Sequence, residues 1–253
     1  MKRTFNSIDY FFPVIGGKCK NEDIIINQIY GTASYIQNNI FITAGHSIEN
    51  AKTNNSFGIG YITEPLSKWQ FIKAIDFEIF KDIDIGIFKC EKSCLNFASF
   101  CTKNRFEPFL LMDVFTCGFP HAFDIKEKQI KRRALKGYIV NSGNFYEFKK
   151  PIVILELSFH CPVGISGAPI LMWHQDEMPT ICGYIIGNTT TEIPIVIEKE
   201  ISNEGKKEII YEKTESTKYG IGINIEELLL KESRILGNMT FKQYFKNNNM
   251  LIN

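Results

Sequence analysis

Three short segments of the chain carry side chains that could together perform nucleophilic catalysis. In the segment 161–169, Cys-Pro-Val-Gly-Ile-Ser-Gly-Ala-Pro, Ser166 stands close to two glycines and between two apolar runs. Glycine beside an exposed hydroxyl indicates a sharply bent backbone that comes close to other groups. A serine nucleophile needs such a bend, because its Oγ must stand clear and backbone N–H groups must face the developing oxyanion. An ordinary Gly-Ser turn would look the same locally, so the other two segments decide between the readings.

A histidine and an aspartate each lie at the end of an apolar, strand-like run. His46 follows Ile40–Gly45, and Asp84 precedes Ile85–Phe88. An imidazole can take the proton of a serine hydroxyl and return it to the leaving group. A carboxylate can fix the tautomer of that imidazole and stabilise the imidazolium. The order His, Asp, Ser along a chain is one in which such triads occur.

Other side chains compete for each of these roles. Three further histidines are alternatives for the base, and none follows a strand that ends in Thr-Ala-Gly: His121, His160 and His174. Asp82 is the alternative to Asp84, which directly precedes the apolar strand. Cys161 lies five positions before Ser166. That place does not suit a nucleophile, so we expect Cys161 in a buried wall of the site.

The apolar runs that carry these residues predict many short strands. One set runs from Asp23 to Phe88 and a second from Phe109 to Asn224, with turn residues between the runs. Such spacing favours barrels or sandwiches over alternating strands and helices. The break lies near 91–108, so we predict one β-subdomain over residues 1–108 and another over residues 109–253.

Two segments of the second set have a distinct character. Glu192–Lys218 is charged and alternating, with a turn at Asn203–Lys206, which predicts a solvated, protruding β-hairpin. Ile225–Leu230 predicts a helix with Asn224 as its N-cap. Near the start of the first set, Asn38 and Asn39 predict the turn of a hairpin between two strands.

Composition bounds the classes of function. The chain has 253 residues, 44% of them hydrophobic, and a formal net charge of +1, which gives no field favouring nucleic acid or a membrane surface. No apolar run reaches the roughly 18 residues of a transmembrane helix. The basic N-terminus lacks an apolar region after it, so we predict no signal peptide. The cysteines number seven, an odd count that favours free thiols and a cytoplasmic location.

A metal site would have to use clustered cysteines. Cys90, Cys94 and Cys101 lie near one another in the sequence, but their spacing is not C-x-x-C and no histidine is close. We therefore predict neither a metal nor a cofactor.

The three segments resemble the chymotrypsin-like (trypsin-like) serine proteases, in their simpler bacterial type. Thr43–His46 reads Thr-Ala-Gly-His where that family has Thr-Ala-Ala-His. Asp84–Ile87 reads Asp-Ile-Gly-Ile for Asp-Ile-Ala-Leu, and Gly164–Pro169 reads Gly-Ile-Ser-Gly-Ala-Pro for Gly-Asp-Ser-Gly-Gly-Pro. Cys117–Pro120 is similar to the family's Gly-Tyr-Pro turn, and Ile181–Gly187 to its Val-Val-Gly-Ile strand.

The resemblance implies an all-β fold of two six-stranded Greek-key β-barrels with a C-terminal helix. It implies Ser166 as nucleophile, His46 as base and Asp84 as the carboxylate that holds it. It also implies an oxyanion hole formed by the amides of Gly164 and Ser166. The substrate-binding residues that it implies are His160, Ile185 and Gly187. His160 at the base of the pocket favours an acidic or polar side chain before the scissile bond.

One position departs from the pattern of the secreted digestive proteases. Ile165 stands where those enzymes have an aspartate that pairs with a newly cut N-terminus. Isoleucine cannot form that ion pair, so activation by N-terminal cleavage is not expected. The likeness of Val14–Gly17 to their activation sequence is then coincidental.

The function implied is a serine endopeptidase that acts on proteins or peptides through an acyl-enzyme. The charged hairpin and the missing export signal favour an intracellular protease controlled by a regulatory protein partner, as in bacterial stress and anti-phage defence systems; we expect neither nucleic acid nor membrane as a partner. The alternative is a two-barrel binding module without catalysis. An esterase on an α/β sheet fits less well, because Ala168 stands where Gly-x-Ser-x-Gly needs glycine.

Overall fold

The first half of the chain forms a closed barrel of six strands with one short helix. The computed structural model describes residues 10–20, 23–63, 68–91, 97–120, 123–124, 129–145, 150–173, 178–201 and 208–252. Round the barrel the strands follow the order β1-β2-β3-β6-β5-β4, all antiparallel. The elements are β1 (Phe11–Lys20), β2 (Asp23–Gln37), β3 (Ile40–Ala44), α1 (Gly45–Ala51), β4 (Ser56–Thr63), β5 (Lys68–Phe80) and β6 (Ile85–Cys90).

The second half forms another ring of six strands. Its elements are β7 (Cys101–Lys103), β8 (Asp113–Gly118), β9 (Phe123–Asp124), β10 (Gln129–Ile130), β11 (Arg133–Phe145), β12 (Ile152–Leu157), β13 (Pro169–Met172), β14 (Thr180–Ile201) and β15 (Glu208–Asn224). The ring runs β8-β11-β12-β15-β14-β13 and closes because β13 pairs with both β14 and β8. The predicted all-β fold with two barrels is confirmed.

The C-terminal segment continues from the second barrel. It contains α2 (Ile225–Leu229), β16 (Glu232–Ser233), β17 (Met239–Thr240), α3 (Phe241–Asn247) and β18 (Leu251–Ile252). The predicted N-cap is confirmed, because the Asn224 side chain accepts a hydrogen bond of 3.0 Å from the Glu226 N–H. Strand β7 pairs with β14 and β18, so the second sheet already begins before residue 108, where we predicted the boundary.

Strand β3 of the first barrel is buried on both faces. Successive side chains of a strand point to opposite sides. In β3, Phe41 therefore packs inside the barrel against Phe12 and Phe88, while Ile40 and Ile42 join a core that also contains residues of the second barrel. The continuous apolar run of β3 follows from this double burial. The predicted hairpin is confirmed, since β2 and β3 pair across Asn38 and Asn39, both in the left-handed region.

Strands β14 and β15 extend well beyond the second barrel as a two-stranded ribbon. They pair with each other from Thr190↔Lys218 to Ile201↔Glu208. Within the described residues no other strand pairs with this part. The predicted hairpin is thereby confirmed, and its predicted turn, Asn203–Lys206, falls at residues outside the described ranges.

No helix in the described ranges is long and apolar enough to cross a lipid bilayer.

Candidate active site

Three hydrogen bonds join Asp84 to His46 and to the preceding residue, Gly45. His46 lies in the first turn of α1, directly after β3, and Asp84 ends the turn between β5 and β6. The Asp84 Oδ2 lies 2.6 Å from the His46 Nδ1, and its Oδ1 accepts the His46 backbone N–H at 2.8 Å. The Asp84 carbonyl accepts the Gly45 N–H at 2.8 Å. These bonds fix both the position of the imidazole and the use of Nδ1, which leaves Nε2 for another partner.

The backbone of Asp84 takes an unusual conformation to make these bonds. Its φ is +49°, in the left-handed region, where aspartate is tolerated better than most residues. The side chains of His46 and Asp84 are 37% and 25% exposed, so a substrate can reach the pair. Asp82, the alternative carboxylate, forms an ion pair with Lys231 instead. The structure therefore pairs His46 with Asp84.

Ser166 lies in a tight double turn between β12 and β13. The Ile165 N–H donates to the Pro162 carbonyl at 3.1 Å, and the Ala168 N–H donates to the Ile165 carbonyl at 2.9 Å. Gly164 and Gly167 have φ values of +97° and +84°, which glycine adopts without strain. The prediction of a sharply bent, glycine-dependent backbone is confirmed.

Gly167 brings this turn into contact with the strand that leads to His46. A Cβ atom at Gly167 would overlap Thr43 Oγ1, the Ala44 nitrogen and the Thr32 carbonyl oxygen. Nothing larger than glycine therefore fits between the turn and the first barrel. Since Ala44 is two residues before His46, the turn that carries Ser166 packs at the end of β3, close to the imidazole.

A second contact places the Ser166 backbone near the residue that follows His46. The Thr32 N–H donates to the Ser166 carbonyl at 2.8 Å. A Cβ at the neighbouring Gly31 would overlap both Ser47 Oγ and the Ser166 carbonyl oxygen. Within the described chain, the Ser166 hydroxyl and the His46 imidazole form no hydrogen bond. Catalytic hydrogen bonds are often long without substrate and tighten in the complex.

The two predicted oxyanion donors are available. The turn amides of Ile165, Gly167 and Ala168 donate to backbone carbonyls. In the part of the chain that the structure describes, the amides of Gly164 and Ser166 donate to no protein group. Unused N–H groups beside a serine hydroxyl can stabilise an oxyanion.

The predicted substrate residues occupy different surroundings. His160 is exposed, and Gly187 is half-buried with open space where a Cβ would be. Ile185 is fully buried, its N–H donates to the Ala168 carbonyl at 2.9 Å and its carbonyl accepts the Gly167 N–H at 2.7 Å. Ile185 therefore supports the turn from behind, and the substrate contact that the resemblance implies for it stays a prediction. The alternative bases His121 and His174 lie outside the described residues.

Cys161 has the wall position that we predicted. Its side chain is 4% exposed, and burial raises the pKa of its thiol to about 12. The Asn188 side chain accepts the Cys161 N–H and donates to the Cys161 carbonyl, both at 2.7 Å. A thiol with so high a pKa stays protonated near neutral pH and is a poor nucleophile.

The described cysteines also bear on the predicted free thiols and on metal binding. Four of them carry free thiols: Cys90, Cys101, Cys161 and Cys182. Across the described ranges, no three His, Cys, Asp or Glu residues are arranged so as to hold a metal ion.

Two features around the site could not be predicted from the sequence. One is Thr32, a buried threonine of β2 whose hydroxyl lies between the Gly164 and Phe119 backbones. A polar residue in an apolar strand was its only signal in the sequence.

The other is the C-terminal segment just after α2, which binds strand β5 and the turn that leads from it to Asp84. Lys231 pairs with Asp82, Ser233 Oγ donates to Glu78 Oε2 at 2.7 Å, and Arg234 binds Asp76 through two N–H groups. The sequence contains no local pattern that would indicate contacts between polar residues so far apart along the chain.

Comparison with known proteins identifies the fold. No protein family and no curated protein sequence matches this chain. Three crystal structures of Rv3671c from M. tuberculosis match most of it. The active form of that protease is 13% identical with a TM-score of 0.54, covering 88% of this chain and 78% of that one. An inactive form is 12% identical with a TM-score of 0.54, covering 92% and 88%.

The third structure is an inactive form carrying a serine-to-alanine mutation. It is 12% identical with a TM-score of 0.53, covering 92% of this chain and 85% of that one. At these identities the likeness concerns the fold, which is the chymotrypsin-like fold of these serine proteases. Because unrelated functions share folds, function must be argued from the site.

Proposed function

We propose that this chain is a serine endopeptidase with Ser166 as its nucleophile. The observation that carries the proposal is the His46–Asp84 pair, held by three hydrogen bonds at the end of β3, where the glycine-bounded turn of Ser166 also packs. The chymotrypsin-like fold, shared with proteases, adds support.

The reaction follows from the chemistry of these groups. The Ser166 Oγ gives its proton to the His46 Nε2 and attacks the carbonyl carbon of the scissile peptide bond. The amides of Gly164 and Ser166 bind the resulting oxyanion. Protonated His46 then gives its proton to the leaving amine, and the peptide C–N bond breaks to leave an acyl-enzyme. Water, deprotonated by His46, then attacks the acyl carbon. The ester bond to Ser166 Oγ breaks, His46 returns the proton to that oxygen, and the acyl group leaves as a carboxylic acid.

Asp84 acts on the base throughout this cycle. Its carboxylate accepts the Nδ1–H of His46, which fixes the tautomer with Nε2 ready to accept the serine proton. When His46 becomes an imidazolium, the negative charge 2.6 Å away stabilises it. The mechanism requires neither a metal nor a cofactor.

A fluorophosphonate probe tests the proposal directly. We expect the probe to label the wild-type chain covalently and to leave Ser166→Ala unlabelled. Ser216→Ala is a matched control, because Ser216 is exposed on the ribbon of β14 and β15. It should be labelled like the wild type. If the wild type is folded and stays unlabelled, the non-catalytic binding module becomes the better description.

The substrate class is inferred from His160, which is exposed, and Gly187, which is half-buried beside open space. We propose that proteins or peptides bind between the barrels, with His160 and Gly187 beside the residue that precedes the scissile bond. Exposed histidine favours an acidic or polar side chain there, especially when protonated. A peptide library varied at that position should be enriched in acidic or polar residues; cleavage after Lys or Arg would contradict the specificity.

We also propose that the ribbon of β14 and β15 binds a regulatory protein partner. Thr189 and Tyr219 face each other at its base, so residues 190–218 can be replaced by an Asn-Gly turn. Cleavage of protein substrates in cells should change while labelling by the small probe stays intact. If neither changes, the ribbon has no such role. The cytoplasmic location and the place in stress or anti-phage defence stay predictions of the sequence.

A further inference from the structure

Thr32 uses every one of its polar groups at the boundary between the two barrels. Its Oγ1 donates to the Gly164 carbonyl at 2.9 Å and accepts the Phe119 N–H at 3.1 Å. Its N–H donates to the Ser166 carbonyl at 2.8 Å, and its carbonyl accepts the Thr43 hydroxyl at 2.7 Å. The residue has no exposed surface. One residue of β2 therefore binds two carbonyls of the turn that carries Ser166.

These two carbonyls flank the peptide group that matters most for catalysis. The Gly164 carbonyl belongs to the peptide group before the one that carries the Ser166 N–H, and the Ser166 carbonyl belongs to the group after it. The peptide group between them is a rigid plane joined to both neighbours at Cα atoms. Its own carbonyl, that of Ile165, accepts the Ala168 N–H at 2.9 Å, so with both neighbours fixed the whole turn is restrained.

Phe119 completes this support. Its N–H donates to the same Thr32 hydroxyl. Its carbonyl oxygen packs against Gly164 so closely that a Cβ added to Gly164 would lie only 2.5 Å from it. A hydroxyl can donate to one group and accept from another at once, as Thr32 does here. Serine could replace it, whereas valine, with nearly the same shape, would leave the Gly164 carbonyl and the Phe119 N–H buried without a partner.

We propose that Thr32 is a positioning residue for the oxyanion hole. It holds the amides of Gly164 and Ser166 in the orientation that the oxyanion needs, from the barrel that also carries the base. This assignment rests on the proposed function of Ser166. It makes the first barrel responsible for the alignment of the nucleophile's own turn as well as for His46 and Asp84.

The kinetic test compares the wild type with Thr32→Val, Thr32→Ser and the control Thr102→Val. Thr102 is also a buried threonine, 1% exposed, whose hydroxyl donates to one carbonyl between β7 and β14, away from the site. The measurement is labelling by a fluorophosphonate, resolved into the maximal rate and the probe concentration at half that rate. All proteins are compared well below their unfolding temperatures, with near-ultraviolet circular dichroism as the check of folding.

We expect Thr32→Val to lower the maximal labelling rate about a hundredfold, the size of effect that a misplacement of about 1 Å has on catalysis. The half-saturating concentration should stay within about twofold, because an oriented oxyanion hole acts mainly in the transition state. Thr32→Ser should recover most of the rate, and Thr102→Val should retain it. Equal rates for folded Thr32→Val and Thr102→Val would overturn the proposal.

Hydrogen exchange provides a readout that needs no catalysis. Amides in the peptide 163–168 should exchange faster in Thr32→Val than in the wild type, while Thr102→Val leaves them unchanged. An unlabelled wild type would refute the protease proposal, and the exchange of 163–168 would still decide whether Thr32 holds the turn. Unchanged exchange in that peptide would overturn the role of Thr32, even if the wild type is a protease.

Discussion

The two barrels have the same order of strands but position their reactive residues in different ways. In each ring the first three strands are followed by the sixth, fifth and fourth. His46 and Ser166 lie in the same connection, between the third and fourth strands of their barrels. The first barrel holds His46 by bonds to its own Asp84. In the second barrel, the turn of Ser166 is bound by Thr32, which belongs to the other barrel.

The hairpins between the fifth and sixth strands differ as well. In the first barrel this hairpin is tight and carries Asp84; in the second it extends as the ribbon of β14 and β15. The register of β3 and β6 explains why the tight hairpin of the first barrel brings Asp84 to His46. Ala44 pairs with Ile85, so the residues just after β3 and just before β6 are neighbours, which places His46 beside Asp84.

The turn of Ser166 is held from both barrels. It joins β12 to β13, which are not adjacent in the ring, just as the connection that carries His46 joins the non-adjacent strands β3 and β4. Ile185 of its own barrel supports the turn on one side, and β2 and β3 of the first barrel support it on the other. The His46–Asp84 pair is therefore held within one barrel, whereas the turn of Ser166 depends on the docking of two.

Replacing Asp84 with asparagine should have the largest effect on activity. The amide cannot accept the Nδ1–H of His46 in the same way and favours the wrong tautomer, so we expect the labelling rate of Ser166 to fall by about 10⁴. Asp82→Asn is the control, because Asp82 pairs with Lys231. It should keep most of the rate. Labelling kinetics of the folded proteins provide the measurement; equal losses in both variants would show that Asp84 has no special role.

Gly167→Ala should break the docking of the turn. Its φ of +84° and the overlap of a new Cβ with Thr43 and Ala44 predict a loss of about 3 kcal/mol or more in the free energy of unfolding. Gly143→Ala in β11 is the matched control, since no atom lies within 4 Å of its Cβ position. It should change that free energy by less than about 0.5 kcal/mol. Denaturant titration measures both, and similar losses would contradict tight docking at Gly167.

Arg234→Ala should have the smallest effect, a slight drop in the unfolding temperature at neutral pH. The hydrogen bonds from Arg234 lower the pKa of the Asp76 carboxyl in the folded protein. A lowered folded pKa stabilises the fold above the ordinary pKa of the carboxyl, and the stabilisation disappears as the pH falls through the folded pKa. The difference between variant and wild type should therefore shrink in acid. A difference that grows in acid would exclude this ion pair as its source.

Local signals in the sequence were enough to predict much of the fold and part of the site. The apolar runs, the Asn38-Asn39 turn and the Asn224 cap each depend on neighbouring residues, so they could be read directly. Gly164 and Gly167 likewise indicated a sharply bent backbone around Ser166. The burial of Ile185 behind the turn was not apparent, because sequence likeness cannot tell whether a residue near Ser166 faces the surface or the core.

By itself, then, the sequence determined the strands, the turns and the three candidate residues, since backbone preferences and hydrophobic patterning act over a few positions. Only the tertiary structure decided which residues meet. Thr32 reaches Gly164 across 132 positions, and Arg234 reaches Asp76 across 158. Such contacts arise from the packing of two closed barrels, and no short stretch of the chain encodes them.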